Sequence, residues 1–193
     1  GRVDPKDDIE TVTTELVLAD VQTLEKQIPR LTKEVTGKKT PKEVLETAKA
    51  ALELLEQGKV LSAHGTDLDP AILRGFGLMT TKKFIYVFNT DDAGLADEAM
   101  QAELRDFVAP AEAIFLDAKF EAELVELEPE EAAEMLHDNG QEESGLDKLA
   151  RVGFDTLGLQ TYLTAGEKES RAWTIRKGAT ASQAAGVIHT DFE

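Results

Sequence analysis

Apolar residues in the first third of the chain recur at steps of three and four, the spacing of a helix face that packs against another helix. One such run covers about residues 8–35 and a second covers about residues 41–57. The two runs predict an antiparallel helical hairpin with Gly37-Lys38-Lys39 at its tip. A short further helix is predicted from Asp69 to Phe76.

Local signals predict where these helices begin and end. Asp7 or Asp8 is suited to cap the first helix. Thr40, followed by Pro41 and then Glu43, has the order of a capping box for the second helix. Pro29 lies inside the first helix and predicts a local kink, because proline removes one backbone donor.

The middle of the chain has the pattern of a strand, helix and strand. Phe84–Phe88 is a continuous apolar run rich in β-branched and aromatic residues, which predicts a buried strand. A polar loop, a helix over about residues 95–108 and a second apolar strand at Ala113–Leu116 follow. This order predicts a βαβ unit of a parallel sheet, and ligands of such sheets bind beyond the carboxyl ends of the strands. Two strands are too few for a stable sheet, so further strands are expected outside this chain.

The last part predicts a small α+β module. Helices are expected from about Glu128 and over residues 145–157, and alternating polar and apolar residues predict strands at residues 159–164 and 171–175. A helix of small residues is expected at residues 182–188.

Charge is distributed unevenly over these parts. The chain of 193 residues has a formal net charge of -17, and residues 91–144 contain 18 acidic and 2 basic residues. Residues 1–90 and 145–193 are nearly neutral. The acidic excess argues against a chain-wide, non-specific DNA or RNA binder, and it is expected to form a solvated helix face.

Several site classes are excluded by composition and spacing. The chain has no cysteine, and its three histidines are far apart, so no zinc or other metal site is predicted. The sequence around Gly37-Lys38-Lys39-Thr40 lacks the first glycine of a phosphate-binding loop. No apolar stretch approaches the roughly 20 residues of a membrane helix, which predicts a cytoplasmic protein without a membrane partner. What remains is Asn89-x-x-Asp92, directly after the first predicted strand, where nucleotide hydrolases of the GTPase type recognise the base.

Five long motifs of the chain form a recognisable pattern: Arg2–Glu10, Thr14–Asp20, Leu159–Gly166, Arg171–Ile175 and Ile188–Glu193. Through these motifs the whole chain resembles the YchF family, the Obg-like ATPases. It implies an α/β fold with an α-helical insertion, in which a coiled-coil hairpin interrupts a P-loop G domain that precedes a TGS domain.

The resemblance divides the chain into three parts. Residues 1–80 are expected to form the coiled-coil insertion, residues 81–158 the last part of the G domain with the acidic segment, and residues 159–193 the start of the TGS domain. The chain starts without methionine and is expected to be a fragment. The phosphate-binding loop and the Mg²⁺ ligands are expected upstream of it, so the fragment alone is predicted to be inactive.

The resemblance also implies a nucleotide site. The family prefers ATP to GTP through Asn-x-x-Glu, and this chain has Asn89, Thr90 and Asp92 in the corresponding positions. Thr90 replaces the lysine of GTPases, which fits either relaxed or adenine-favouring recognition, while Asp92 leaves GTP binding open. Asp117, Ala118 and Lys119 occupy the place of a Ser-Ala-Lys-like motif that touches the base. ATP or GTP with Mg²⁺ is therefore the expected cofactor of the full-length protein.

The expected partner is the ribosome or its RNA. The family is associated with ribosomes and with the stress response, and Lys38 and Lys39 at the hairpin tip are the candidate contacts. The alternative is a noncatalytic coiled-coil and TGS module that binds RNA or protein. Oligomeric state and the physiological partner stay open.

Overall fold

A computed structural model describes residues 3–167, 169–189 and 191. It forms two compact units: Gly1–Tyr86 with Ala102–Ala111, and Val87–Gln101 with Glu112–Glu193. Each combines helices with short extended segments, so the chain is an α/β protein with a helical region and two small sheets. The division into three domains stays a prediction. Thr190, Phe192 and Glu193 of the last family-like motif, and Arg2 of the first, lie outside the described residues.

The first unit, called unit 1, contains the predicted helical hairpin. Its helices are α1 (Pro5–Thr36), α2 (Lys42–Glu56), α3 (Leu61–His64) and α4 (Pro70–Phe76). α1 continues without interruption through Pro29. The predicted caps at Asp7 or Asp8 are wrong, because the Asp4 carboxylate accepts a hydrogen bond from the Asp7 N–H and Pro5 opens the helix.

The predicted capping box of α2 is also absent. The Thr40 hydroxyl donates to the Glu34 Oε2 at 3.0 Å instead of receiving an N–H of α2. α2 begins at Lys42 without a side-chain cap. Thr40 therefore ties the connection back to the end of α1, a contact between residues that local capping rules do not consider.

The core of unit 1 is the predicted apolar seam. Val17, Leu24 and Leu31 are buried at intervals of seven along α1, and they pack against α2. Three further apolar residues that continue the spacing of three and four along α1 are partly buried against the same cluster: Val21, Ile28 and Val35. The α2 side contributes Leu45, Ala48, Ala51 and Leu55. The spacing in the sequence therefore identifies the buried face of α1 correctly.

One carboxylate is buried within unit 1. Asp20 of α1 is 2% exposed, and its two oxygens accept hydrogen bonds from the Met79 N–H at 2.9 Å and the Thr80 N–H at 2.7 Å. The Thr80 hydroxyl donates to Asp20 as well, at 2.7 Å. These bonds attach the segment just before the first strand to the middle of α1, and they satisfy a group that would otherwise be costly to bury.

The strand, helix and strand of the middle region are present with shifted bounds. They are β1 (Ile85–Asn89), α5 (Asp92–Ala96), α6 (Glu98–Val108) and β2 (Glu112–Leu116), and β1 pairs with β2. The single helix predicted over residues 95–108 is in fact two. Asp97 separates them, with a non-helical ψ of 83° and a carboxylate that accepts the Met100 N–H at 2.9 Å.

The prediction of a buried first strand is wrong for the described chain. Val87 in β1 is 45% exposed, whereas Ile114 in β2 is fully buried. Among the described residues β1 has only β2 as a neighbouring strand, so this sheet is small. The continuous apolar run is typical of a strand covered on both faces, whereas the described residues leave the face that carries Val87 partly exposed.

The rest of the second unit, called unit 2, consists of α7 (Ala118–Val125), α8 (Pro129–Asp138), α9 (Gly145–Thr156), β3 (Leu159–Ala165), β4 (Ser170–Arg176) and α10 (Ala181–Ile188). β3 and β4 are the two predicted strands, and the structure pairs them antiparallel with Tyr162 opposite Trp173. The Tyr162 hydroxyl donates to the Ala184 carbonyl at 2.7 Å, which fixes α10 on this hairpin. Across the described ranges, no helix combines the length and apolar character needed to cross a membrane.

Candidate nucleotide-base site

The carboxyl ends of β1 and β2 meet in unit 2. Thr90, the residue after β1, donates its backbone N–H to the carbonyl of Leu116, the last residue of β2, at 2.9 Å. Because both strand ends lie side by side, the strands run in the same direction, as the βαβ prediction requires. Loops that follow the two strands are thereby brought to one edge of the sheet.

Asn89 joins these two loops directly. Its side-chain Oδ1 accepts a hydrogen bond from the Ala118 backbone N–H at 2.9 Å. Asn89 and Ala118 are both solvent-exposed. Two groups of predicted site residues, 29 positions apart in sequence, are therefore in contact through this one bond.

Asp117 holds the second loop by capping α7. Its Oδ1 accepts the N–H groups of Lys119 at 2.8 Å and Phe120 at 3.3 Å. An aspartate is as suitable as a serine for this purpose, since either supplies an oxygen to the first turn. The Lys119 side chain is 86% exposed, and its Nζ lies 3.9 Å from Glu123 Oε1, one turn further along α7.

Two consecutive aspartates of the first loop have different surroundings. The Asp91 carboxylate caps α5 by accepting the Gly94 N–H at 3.0 Å. Asp92 is the first residue of α5; it is exposed and lies on the wall of a cleft. The carboxylate that the Asn-x-x-Asp pattern assigns to the base is therefore accessible to a ligand.

The cleft has a volume of about 1060 Å³ and belongs entirely to unit 2. Its lining includes Asp92, Leu95, Phe115, residues 138–143 and Lys148. Glu143 of this lining forms an ion pair with Arg151. The hydrogen bond from the Arg151 guanidinium to Glu143, together with the negative charge of Glu143, raises the pKa of Arg151 above its ordinary value.

Glu121 is a structural residue of this region that the sequence does not reveal. It lies in the acidic segment, which is otherwise largely exposed as predicted, but Glu121 is only 4% exposed. Its carboxylate accepts the Gly145 N–H at 2.6 Å and the Leu146 N–H at 3.1 Å, so it caps α9 from another helix. A Cβ on Gly145 would lie 2.6 Å from the Leu116 Cβ, which explains the glycine there.

The remaining predicted contacts lie in unit 1. Lys38 and Lys39 are exposed at the hairpin tip, and Lys38 has a left-handed backbone with φ of 55°. The described ranges contain no group of three or more histidine or acidic side chains arranged to hold a metal ion.

Comparison with known proteins decides the relationship. The chain is 41% identical to the ribosome-binding ATPase YchF of Bacillus subtilis, over all of this chain and 55% of that protein. It is 37% identical to an Obg-like ATPase homolog of Schizosaccharomyces pombe, over 99% of this chain and 48% of the relative. The chain is a relative of the YchF/Obg-like ATPases along its whole length. The resemblance seen in the sequence motifs is thereby confirmed.

Fold and family-model comparisons agree with this relationship. The solved structure described as the Schizosaccharomyces pombe YchF GTPase matches with a TM-score of 0.84 at 30% identity, over all of this chain and 55% of that one. The family model YchF-GTPase_C, described as a protein of unknown function (DUF933), matches residues 159–193. The chain spans about half the length of the curated relatives it matches.

Proposed function

We propose that this chain contributes the base-recognition site of a ribosome-associated nucleoside triphosphatase that prefers ATP to GTP and acts as a regulatory switch in translation or stress. The observation that carries the proposal is the hydrogen bond between Asn89 and Ala118, which joins the loop holding Asp92 to the loop of Asp117 and Lys119. The relatives named as ribosome-binding ATPases support the same assignment.

In the proposed site, an amide and a carboxylate form hydrogen bonds with different atoms of the base. Since the Asn89 Oδ1 is held by Ala118, its Nδ2 is the group that donates to a ring nitrogen of the base. The exposed Asp92 carboxylate accepts from amino or ring N–H groups of the base. Adenine offers it the exocyclic amino group, while guanine offers an amino group and an adjacent ring N–H, so Asp92 alone does not exclude GTP.

In this proposal, preference for ATP depends on the second position of the motif as well. Thr90 replaces the lysine of GTPases, and its backbone is fixed on β2. Hydrolysis in the full-length protein would use Mg²⁺, which neutralises charge on the transferring phosphate. The phosphate-binding residues are expected outside this chain, and we predict that the chain alone does not hydrolyse ATP.

A nucleotide titration of the full-length protein tests the base site. N89A and D92A should each weaken the binding of ATP and GTP analogues about tenfold or more, since each removes hydrogen bonds to the base. D106A, which removes an exposed aspartate from α6, is the matched control and should bind normally. Unchanged affinity and unchanged base preference in both N89A and D92A would contradict the proposal and favour a noncatalytic interaction module.

The ribosome contact is proposed at the hairpin tip. The ammonium groups of Lys38 and Lys39 are exposed beside a turn, where they are free to approach RNA phosphates. The double variant K38E/K39E should lose most ribosome co-sedimentation at low salt, while K49E, an exposed lysine on α2, should keep it. Full co-sedimentation by the double variant would refute this contact.

A further inference from the structure

The loop that carries Asn89 and Asp92 is supported by residues to which the base-recognition pattern gives no role. The backbone of Asn89 is fixed by the end of β1, but Asp92 stands at the start of α5, a helix of only 5 residues. A helix this short does not hold its own position in water. Whatever fixes α5 therefore also fixes the proposed base-reading carboxylate.

One support is the packing of Thr90 against Gly94. A Cβ placed on Gly94 would lie 1.9 Å from the Thr90 Oγ1 and 3.0 Å from the Thr90 Cβ. Any larger residue at position 94 must displace the Thr90 side chain or the first turn of α5. The glycine thus lets α5 fold back onto the residue at the second position of the Asn-x-x-Asp motif.

The second support is Gln101 of α6. Its side chain is buried, and its Nε2 donates to the carbonyl of Gly94 at 3.1 Å and to the carbonyl of Leu95 at 2.8 Å. Both carbonyls belong to the end of α5, and that of Gly94 also accepts the Asp97 backbone N–H at 3.3 Å. A primary amide is suited to this position, because one uncharged nitrogen donates two hydrogen atoms. Gln101 also lies on the wall of the cleft that Asp92 lines.

We propose that Gln101 is a positioning residue for base recognition: through its two bonds to α5, and with the Thr90–Gly94 contact, it holds the Asp92 carboxylate where the base is bound. This inference rests on the proposed function and deepens it. It assigns base discrimination to a residue of α6 that acts on Asp92 through the backbone of α5.

The test is a set of titrations on the full-length protein with three probes: an ATP analogue, a GTP analogue and inorganic tripolyphosphate, each with Mg²⁺. Q101E keeps the shape of the side chain but places an acceptor against two carbonyl oxygens. It should weaken the binding of the two nucleotide analogues about tenfold and change their affinity ratio, while tripolyphosphate binds as before. Q160E, the same change at an exposed residue of β3, is the control and should change nothing.

Combining Q101E with D92A distinguishes a positioning role of Gln101 from a general loss of structure. If Gln101 acts through Asp92, Q101E should have little further effect on nucleotide binding in the D92A background, so the two changes are not additive. Additive effects, or equal weakening of all three probes, would overturn the proposal. If Q101E does not fold, the neutral variant Q101M is used with the same criteria.

The failure of this inference is distinguishable from the failure of the proposed function. If D92A binds both nucleotide analogues normally, base recognition at this site is itself wrong. If D92A weakens binding but Q101E and Q101M do not, only the positioning role is refuted. G94A provides an independent check, because displacement of Thr90 should give the same pattern as Q101E, and normal nucleotide binding by G94A would contradict the support assigned to that contact.

Discussion

The hairpin of unit 1 and the loops of unit 2 are held in different ways. α1 and α2 pack through an apolar seam in which Leu24 and Leu55 are almost completely buried. The loops after β1 and β2 are held by a few polar contacts, such as the bond between Asn89 and Ala118 and the cap that Asp117 forms on α7. An apolar seam distributes its stabilisation over many contacts, whereas a polar contact fixes one group in one direction. The first arrangement suits a scaffold, and the second suits a site that must present particular atoms.

The largest expected effect is on the apolar seam. L24A removes a side chain with no exposed surface and should lower the free energy of unfolding by about 2–5 kcal/mol, because the cavity cannot fully close. L18A makes the same change on the same helix at a residue that is 54% exposed, and it should cost far less. Urea unfolding of the full-length protein measures both. Equal losses of unfolding free energy in L24A and L18A would show that the seam is not the core of the hairpin.

An intermediate effect is expected at the buried carboxylate of unit 2. E121Q keeps the size of the side chain but replaces one acceptor oxygen with a donor facing the start of α9. It should cost about 1–3 kcal/mol in unfolding free energy, the range for a buried hydrogen-bonding group left unsatisfied. E126Q, at the exposed end of α7, is the matched control. An E121Q protein as stable as E126Q would mean that α9 does not need this cap.

The smallest effect is expected at an exposed ion pair. A hydrogen bond from Lys177, together with its charge, lowers the pKa of Asp155 below its ordinary value of 3.8. A lowered pKa in the folded state gives stability that is present above pH 3.8 and is lost as the pH falls through the folded value. Because both side chains are exposed, K177A should only slightly reduce the stability difference between pH 6 and pH 3. Unfolding free energies of the wild-type and K177A proteins, measured from pH 6 to pH 3, test this expectation. A large difference between the two proteins in how stability depends on pH would contradict the weak role assigned to the pair.

Much of the fold is predictable because its signals are local. The period of the seam identifies the buried residues of α1, and Asp69 with Pro70 marks the start of α4 as predicted. The errors arise where a polar side chain takes a partner other than the expected one. Thr40 donates to Glu34 rather than capping α2, and Asp97 accepts the Met100 N–H, which divides the predicted helix in two.

The candidate site is predictable only in part, for the same reason. The residue types of Asn89 and Asp92 after a strand suggest base recognition, but their contact with the loop of Ala118 depends on pairing across 29 residues. Gln101 and Glu121 have no signal in the sequence, since a glutamine on an amphipathic helix and a glutamate in an acidic run look like solvated residues. Their burial follows only from the tertiary packing.

The central claim is that Asn89 joins the loops of β1 and β2 into one site, and amide hydrogen exchange at Ala118 tests it most directly. The Ala118 N–H lies in the first turn of α7, where no helical carbonyl is available to it, and the Asn89 Oδ1 is its acceptor. N89A should accelerate exchange at Ala118 about tenfold or more, since local protection is lost. The neighbouring Lys119 N–H, held by Asp117, should exchange as before. Equal exchange at Ala118 in the wild-type and N89A proteins would contradict the account.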